Sequence, residues 1–343
     1  MSQPSGRICL VPRLQGVGGM VSFQAKLAAG LHRLGYEVCY DLAELPYQSV
    51  LVIGGTSSLS GLRLARRNGV RIVQRLNGMN WIHRQRRTGL KHYLRSEYGN
   101  LVLSSIRRWL ADAIVYQSAF SYAWWERVYG PTRQPWTMVH NGVDLQTYTP
   151  LGEHARPAER FRILLVEGSL GGGYEIGLET AAALARRLQD EHRLPVEVNV
   201  AGRVSPELAA AWQARAGVPL SFAGLVPAER IPWLDRSAHL LYAADINAAC
   251  PNSVIEALAC GLPVLSFDTG ALPELVTGEA GCVVPYGGDP WKLDSPDIPG
   301  LAQAALELLA RQETFREGAR RRAEAAFGLE PMVERYLDVL VRG

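Results

Sequence analysis

The chain has 343 residues, of which 48% are apolar and 20% charged. This length and composition predict two globular domains with buried cores and exclude an intrinsically disordered, collagen-like or coiled-coil protein. No stretch approaches the roughly 18 uninterrupted apolar residues of a membrane-spanning helix, and the first residues lack the apolar core of a signal peptide. The five cysteines form no CxxC pair, which favours reduced thiols over disulfides or a zinc site. We therefore expect a cytoplasmic protein.

The two halves of the sequence carry opposite charge. Residues 1–150 contain 18 lysine and arginine residues against 7 acidic residues, whereas residues 151–343 contain 18 against 26. A basic half and an acidic half in one chain indicate that the halves bind different partners.

The first half alternates short apolar runs with helical patterns. The runs predict strands at 7–12, 37–42, 49–55 and 70–76, and the 3.6-residue periodicity predicts helices over 21–34 and 59–68. A basic segment at 84–95 interrupts this alternation; a helix and strand follow over 104–118, and a strand and turn over 137–145. Apolar strands separated by helices are typical of a parallel sheet covered on both faces.

The second half repeats the same architecture after a polar, proline-bearing linker at 149–160. It predicts strands at 161–168, 196–202, 220–224, 240–245 and 263–268, and helices at 178–188, 253–261, 300–312 and 330–341. We expect one domain over 1–152 and a second over 153–327, with a C-terminal helix at 328–343 packing back onto the first.

Each domain opens with a strand, a glycine loop and a helix. Gly18 and Gly19 lie in the first loop, which is equally consistent with anion binding at a helix N-terminus and with a tight turn. The second loop runs from Gly168 to Gly173, and its three successive glycines can present backbone N–H groups to a phosphate. Because this second loop follows a well-defined apolar strand pattern, anion binding is favoured over a flexible loop.

The most specific motif runs from Cys250 to Glu274. Asn252 and Ser253 are typical helix starters, and the pattern places Glu256 in the first turn of that helix. A carboxylate at this place can accept hydrogen bonds from sugar or ribose hydroxyls. The alternative is a glutamate that only complements the helix dipole.

This motif resembles the donor-site signature of retaining GT-B glycosyltransferases of family 4. The opening loop at Gly18-Gly19, the NGVD segment within 139–150 and the GCVVP segment at 281–285 resemble further motifs of that family, in the same order. The resemblance implies an α/β fold of two facing Rossmann-like domains with a cleft between them. It implies that a nucleotide sugar binds the C-terminal domain and an acceptor the N-terminal one. Transfer would retain the anomeric configuration, without a cofactor or an obligatory metal, in polysaccharide or glycoconjugate synthesis.

The sequence also departs from the family pattern. Ala248 stands where the first of two signature glutamates is expected, and Ser169 and Tyr174 stand where the phosphate loop normally has arginine and lysine. Asn77 occupies the usual place of an N-terminal histidine. We expect Arg203 to replace the missing cations, since a guanidinium binds phosphate through two hydrogen bonds. A catalytically silent nucleotide- or sugar-binding protein on the same fold is the alternative.

The expected site therefore has three parts. Glu256 and Asn77 are the candidate catalytic residues. The candidate donor-binding residues are Gly18, Gly19, Ser169, Gly172, Gly173, Arg203, Asn252, Ser253 and Glu256. Trp81, His83 and Arg84 are the acceptor-side candidates, since basic residues interleaved with aromatic ones bind lipid headgroups, phosphate-linked acceptors or acidic glycans.

The basic stretch also predicts peripheral contact with an anionic membrane, at its inner face. Nucleic acid is a less favoured partner, because no recognition motif for it is present and the acidic half would repel a phosphate backbone.

Overall fold

The computed structural model describes residues 6–16, 18–87, 89–170 and 175–342, and the chain divides into two compact units. Unit 1 extends to Gly142 and also includes the C-terminal segment from Leu329, and unit 2 comprises Val143–Gly328. The boundary between unit 1 and unit 2 thus lies about ten residues before the expected boundary between 152 and 153. The C-terminal segment is assigned to unit 1.

Unit 1 is built on one parallel sheet. Its strands are β1 (Gly6–Val11), β2 (Tyr36–Cys39), β3 (Ser49–Ile53), β4 (Arg71–Leu76), β5 (Ala113–Tyr116) and β6 (Trp136–Met138). They are arranged in the order β2-β1-β3-β4-β5-β6, and each neighbouring pair is parallel. The connecting helices are α1 (Gly19–Arg33), α2 (Leu59–Arg67), α3 (Leu90–Ser105) and α4 (Ala119–Tyr129), with a 3-10 turn at Ile82–Arg84 and a π-helical turn at Ile106–Leu110.

Unit 2 repeats this design. Its strands are β7 (Phe161–Ser169), β8 (Val196–Arg203), β9 (Leu220–Gly224), β10 (Leu240–Ala243), β11 (Val264–Phe267) and β12 (Gly281–Val284). All pairs are again parallel, in the order β12-β11-β10-β7-β8-β9. The helices are α5 (Ile176–Asp190), α6 (Pro206–Arg215), α7 (Ile231–Arg236), α8 (Asn252–Ala259), α9 (Leu272–Leu275), α10 (Ile298–Ala310) and α11 (Gln312–Ala326), with 3-10 turns at Ala228–Arg230 and Gly278–Ala280.

These two parallel α/β sheets confirm the predicted pair of Rossmann-like domains. The elements that were not predicted are most of α3, and α4, α6, α7, α9, α11 and β12. α4 begins three residues after the end of β5, so no loop sequence separates the two elements. Ser118 caps the helix by accepting the N–H of Ser121 at 3.0 Å. α11 contains four arginines and few apolar residues, so its periodicity is weak.

The C-terminal helix α12 (Leu329–Leu337) completes the core of unit 1. It packs with α1 over the sheet, and Tyr336 lies fully buried against Phe23 with ring centroids 5.1 Å apart. Gly30 of α1 faces Val333 so closely that a Cβ at position 30 would overlap the valine side chain. Because glycine has no side chain, α1 and α12 can approach each other closely at Gly30.

This contact yields a stability prediction. Gly30→Ala should lower the free energy of unfolding by about 1–3 kcal/mol, the usual cost of overpacking a core, although alanine favours the helix by about 1 kcal/mol. In a Val333→Ala background, which removes the obstructing methyl groups, the same change should be neutral or stabilising. Urea denaturation of the four proteins measures both effects. An increase in stability from Gly30→Ala alone would show that the helices are not held at this distance.

Candidate functional site

The predicted phosphate-binding residues of unit 2 lie at the carboxyl edge of its sheet. Ser169 and Arg203 end neighbouring strands and are paired in register, and the N–H of Leu170 donates to the carbonyl oxygen of Arg203 at 2.8 Å. Both side chains are exposed. Ligands of parallel α/β sheets bind at this edge, so Arg203 is placed where it can contact a phosphate. The predicted Gly172 and Gly173, with Tyr174, lie outside the described residues.

A pair of carboxyl groups, one on β7 and one after the neighbouring strand β10, lies at the same edge of the sheet. Glu167 lies near the end of β7 and Asp245 directly after the adjacent β10. Burial, together with the negative charge of Asp245, raises the pKa of Glu167 to about 8. Asp245 is open to solvent on one side, but desolvation by the surrounding protein raises its pKa as well. Glu167 therefore holds a proton at neutral pH.

Close backbone packing holds Glu167 in this place. A Cβ at Gly177, in the first turn of α5, would lie 2.7 Å from Oε1 of Glu167, and a Cβ at Gly202 would overlap its carbonyl oxygen. Gly202 also has φ of +152°, which disfavours other residues. These two glycines let β8 and α5 approach Glu167 closely. Sequence analysis missed Glu167, although an acidic residue ending an apolar strand run was a visible signal.

The third part of this edge is the start of α8. The helix begins at Asn252 after Pro251 and has no side-chain cap. The side chains of Asn252 and Ser253 are half-buried. Glu256 is the fifth residue of α8, so the expectation that it lies in the first turn is wrong.

The half-buried side chain of Glu256 faces two buried groups. Burial is the main cause that raises the pKa values of Asp235 and Tyr148, and the negative charge of Glu256 raises both further. The carboxylate of Glu256 thus lies within electrostatic range of Asp235 and Tyr148. Asp235 is buried, and this burial holds the pKa of its carboxyl group well above the ordinary value.

An arginine that sequence analysis missed fixes the far end of α8. Arg320 of α11 donates to the carbonyl oxygen of Ala259 at 2.7 Å and to that of Tyr148 at 2.8 Å. A positive charge at a helix C-terminus stabilises the unpaired carbonyl groups there. Arg320 therefore holds both α8 and the segment that carries Tyr148.

The loop at the missing first glutamate has a fixed backbone. Asn247 is buried with φ of 58°, and its Nδ2 has no hydrogen-bond partner among the described residues. The carbonyl oxygen of Ala248 accepts the N–H of Ala271 at 2.8 Å. Gly270 has φ of +61°, and a Cβ there would lie 2.5 Å from backbone atoms of Ala248. The 268–271 loop thus determines where Ala248 lies.

In unit 1, the predicted residues also meet at the carboxyl edge. Gly18, with φ of +134°, precedes α1, and Gly18 and Gly19 are exposed. Asn77 follows β4, and its Nδ2 lies 3.5 Å from Sδ of Met20 in the first turn of α1. The backbone of Asn77 is fixed because its carbonyl oxygen accepts the indole N–H of Trp125 at 2.7 Å.

The acceptor-side candidates lie beside a cavity of about 470 Å³. His83 is buried and lies 2.8 Å from Glu97, and Arg84 forms two hydrogen bonds with Glu97, at 2.6 and 2.9 Å. Hydrogen bonds from Arg84 and then His83 lower the pKa of Glu97 to about 2. Both candidates are thus held by a carboxylate that sequence analysis missed. Trp81 is half-buried, directly before the 3-10 turn. The cavity lining comprises His83, Arg84, Gln85, Arg86, Arg87, Gly89, Leu90 and Tyr93.

The described residues contain no group of three or more His, Cys, Asp or Glu side chains that could hold a metal ion. Among the helices of the described part of the chain, none is long and apolar enough to cross a membrane.

Residues 162–311 match the family described as "Glycosyl transferases group 1". A D-inositol 3-phosphate glycosyltransferase of Jonesia denitrificans is 32% identical over 208 residues, covering 54% of this chain and 47% of the relative. A GDP-mannose-dependent alpha-(1-6)-phosphatidylinositol dimannoside mannosyltransferase of Mycobacterium tuberculosis is 27% identical over 222 residues, covering 62% and 53%. The chain thus spans about half the length of the curated relatives it matches.

The fold is that of known two-domain glycosyltransferase structures. A sucrose-phosphate synthase of Thermosynechococcus elongatus superposes with a TM-score of 0.78 at 17% identity, covering 98% of both chains. The architecture is therefore GT-B, with two Rossmann-like domains. The match over 162–311 confirms, for that segment of unit 2, the resemblance to group 1 glycosyltransferases seen in the sequence.

The proton on Glu167 predicts a pH dependence of phosphate binding. As the pH rises from 7 to 9.5, Glu167 loses its proton, and its negative charge then repels a diphosphate at the same edge. The affinity for a nucleoside diphosphate should fall by roughly tenfold, or about 1.4 kcal/mol. Glu167→Gln should abolish most of this fall, whereas the exposed Glu229→Gln should retain it. Calorimetric titration across this pH range provides the measurement, and an unchanged dependence in Glu167→Gln would contradict it.

The Gly270 contact predicts a difference between two otherwise similar glycines. Gly270 and Gly278 have φ of +61° and +59°, but a Cβ at Gly278 meets no described atom within 4 Å. Both alanine variants carry the backbone strain of about 1–2 kcal/mol. Only Gly270→Ala should also displace Ala248 and weaken nucleotide binding beyond the Gly278→Ala control. Equal nucleotide affinities in the two variants would show that the loop at Ala248 does not shape the site.

Proposed function

We propose that the protein is a retaining glycosyltransferase that moves a sugar from a nucleotide-sugar donor to a glycan or lipid-linked acceptor, in polysaccharide or glycoconjugate synthesis. The observation that carries this proposal is the arrangement at the carboxyl edge of unit 2, inside the segment that matches the group 1 family. Two features support it: Arg203 ends β8 at this edge, and α8, which carries Glu256, follows β10.

The proposed chemistry needs no protein nucleophile. The bond between the anomeric carbon and the diphosphate oxygen breaks, and the acceptor oxygen bonds to that carbon on the same face of the sugar. The acceptor proton passes to the departing diphosphate oxygen. The protein stabilises the negative charge that develops on the diphosphate. Arg203 and backbone N–H groups supply that stabilisation, and Glu256 accepts hydrogen bonds from hydroxyl groups of the donor.

Glu167 and Asn77 have supporting roles in this proposal. Protonated Glu167 can donate a hydrogen bond to a phosphate oxygen, which partly compensates for the absent lysine and arginine of the loop. Asn77, on unit 1, can hydrogen-bond a sugar but cannot accept a proton as a general base.

The acceptor is proposed to be phosphate-bearing or lipid-linked and to reach the basic unit 1. The names of the two curated relatives specify an inositol phosphate and a phosphatidylinositol mannoside. The segment 84–95 contributes basic side chains beside the cavity that contains Arg84, Arg86 and Arg87. Peripheral contact with an anionic membrane surface would bring a lipid-linked acceptor to this segment.

A catalytically silent binding protein is the second candidate. Two observations favour it: the residue at the first signature position is Ala248, and a carboxyl group, Glu167, lies where a phosphate would bind. Both candidates predict nucleotide binding, and only the first predicts turnover of a nucleotide sugar.

Substitution of Glu256 tests the donor site. Glu256→Ala should weaken binding of the preferred nucleotide about ten- to hundredfold, which is the cost of a lost hydrogen bond to a charged group, about 1.5–3 kcal/mol. The exposed Glu229→Ala is the matched control and should bind as the wild type does. Calorimetry against GDP, UDP, ADP and their common sugar conjugates identifies the donor.

The outcomes separate the two candidates. Binding with slow hydrolysis of one nucleotide sugar supports the transferase. Binding without any turnover, with acceptors present, supports the silent protein. If no nucleotide binds the wild type, the donor-site proposal is wrong.

A further inference from the structure

Helix α3 exposes the side that a helix of a soluble domain usually buries. Leu90, Leu94, Tyr98 and Leu101 have the spacing i, i+4, i+8 and i+11, which places them on one face. Between 58 and 75% of the surface of each is accessible. This row, which we call the α3 stripe, extends over about 16 Å of helix. Contiguous exposed apolar surface of this kind marks an interaction site.

Polar contacts fix the orientation that leaves the α3 stripe exposed. The opposite face buries Ser96 and Asn100, and Asn100 accepts the backbone N–H of Asn80 at 2.9 Å and donates to the Asn80 carbonyl oxygen at 2.8 Å. Glu97 is held by Arg84 and His83. Rotating the helix to bury the stripe would break these hydrogen bonds, so the exposure belongs to the folded structure.

The surroundings of the α3 stripe are strongly basic. Residues 82–110 contain seven lysine and arginine residues and one acidic residue, Glu97, whose charge Arg84 balances. Arg107 is buried and pairs with Glu126. Of the other five, Arg87, Lys91, Arg95 and Arg108 are exposed and Arg86 is half-buried. Lys91 and Arg95 lie on α3 itself. The surface therefore combines an apolar stripe with positive charge.

An exposed tryptophan follows the α3 stripe along the chain. The π-helical turn after α3 carries Trp109, with 61% of its surface accessible and the Arg108 guanidinium 5.6 Å from its ring centre. Tryptophan and arginine are typical of groups that lie at a membrane–water interface, where the ring contacts acyl chains and the cation contacts phosphates.

We propose that the α3 stripe inserts into the interfacial layer of an anionic lipid bilayer, with the surrounding arginines and lysines contacting lipid phosphates. Charge complementarity selects this occupant: five cations in the segment of one apolar row fit an anionic bilayer, which offers acyl chains below a negative surface. The proposal deepens the membrane contact proposed above. It does not depend on the donor chemistry, so its failure leaves glycosyl transfer untouched.

The test is co-sedimentation of the full chain with phosphatidylcholine vesicles that contain or lack phosphatidylglycerol. The wild type should bind the anionic vesicles and bind the neutral ones at least tenfold more weakly. Leu94→Glu/Leu101→Glu should reduce binding to anionic vesicles at least tenfold. The matched control is Leu64→Glu, which changes a leucine of similar exposure on α2 and should bind as the wild type does.

Raised salt separates insertion from charge attraction alone. At 0.5 M salt the wild type should keep part of its binding, because burial of apolar side chains is not screened. Binding that salt abolishes entirely, or that Leu94→Glu/Leu101→Glu leaves intact, overturns the proposal. So does a wild type that binds no vesicle. A self-association that the double variant abolishes, measured by ultracentrifugation, would instead assign the stripe to a second copy of the chain.

Nucleotide affinity is measured on the same variants. Leu94→Glu/Leu101→Glu should bind nucleotide as the wild type does, because α3 belongs to unit 1 and the donor site to unit 2. Retained nucleotide binding shows that unit 2 has folded, and a thermal unfolding profile and circular dichroism spectrum like those of the wild type show that unit 1 has folded.

Discussion

Parallel pairing of every strand in both sheets is the constraint on which the remaining structure depends. A parallel strand must be followed by a connection that returns to the opposite edge, so every loop that leaves a strand emerges at the same edge. This places Ser169, Arg203, Asp245 and the start of α8 together, although they are spread over more than eighty residues of sequence. The chain topology therefore determines which residues meet at this edge.

Unit 2 is acidic, whereas the proposed ligand is an anion, and protonation at this edge of the sheet reduces the electrostatic repulsion between them. Unit 2 contains more acidic than basic residues, and two of its carboxyl groups lie where a diphosphate would bind. Burial and mutual repulsion keep a proton on Glu167, so the pair carries less negative charge than its composition suggests. In the proposed function, the positive contribution would come from Arg203 and from backbone N–H groups. Counting charges along the sequence overestimates the repulsion because protonation depends on the folded environment.

What could be predicted from the sequence was local. Uninterrupted apolar runs identified most strands, and a strand followed by glycine identified the loops at Gly18 and Gly168. The apolar runs also located the strand ends near Ser169 and Arg203, and these two residues are paired on neighbouring strands. Glu167 was missed because its effect depends on Asp245, 78 residues further along the chain. Glu97 was missed for the same reason, since its role depends on Arg84 and His83. The α3 stripe was missed because the basic segment at 84–95 hides the helical spacing of its leucines, so no helix was predicted over 90–103.

The close contact of Gly30 with Val333 has a consequence for the order of folding. Unit 1 is discontinuous in sequence, because its core includes α12, and all of unit 2 is inserted before that helix. During synthesis, unit 2 can form its complete core while unit 1 still lacks Val333 and Tyr336. Unit 1 therefore finishes its core last, although its strands are made first. Until α12 has been synthesised, Phe23 and Leu27 lack the side chains of α12 that pack against them in the folded core.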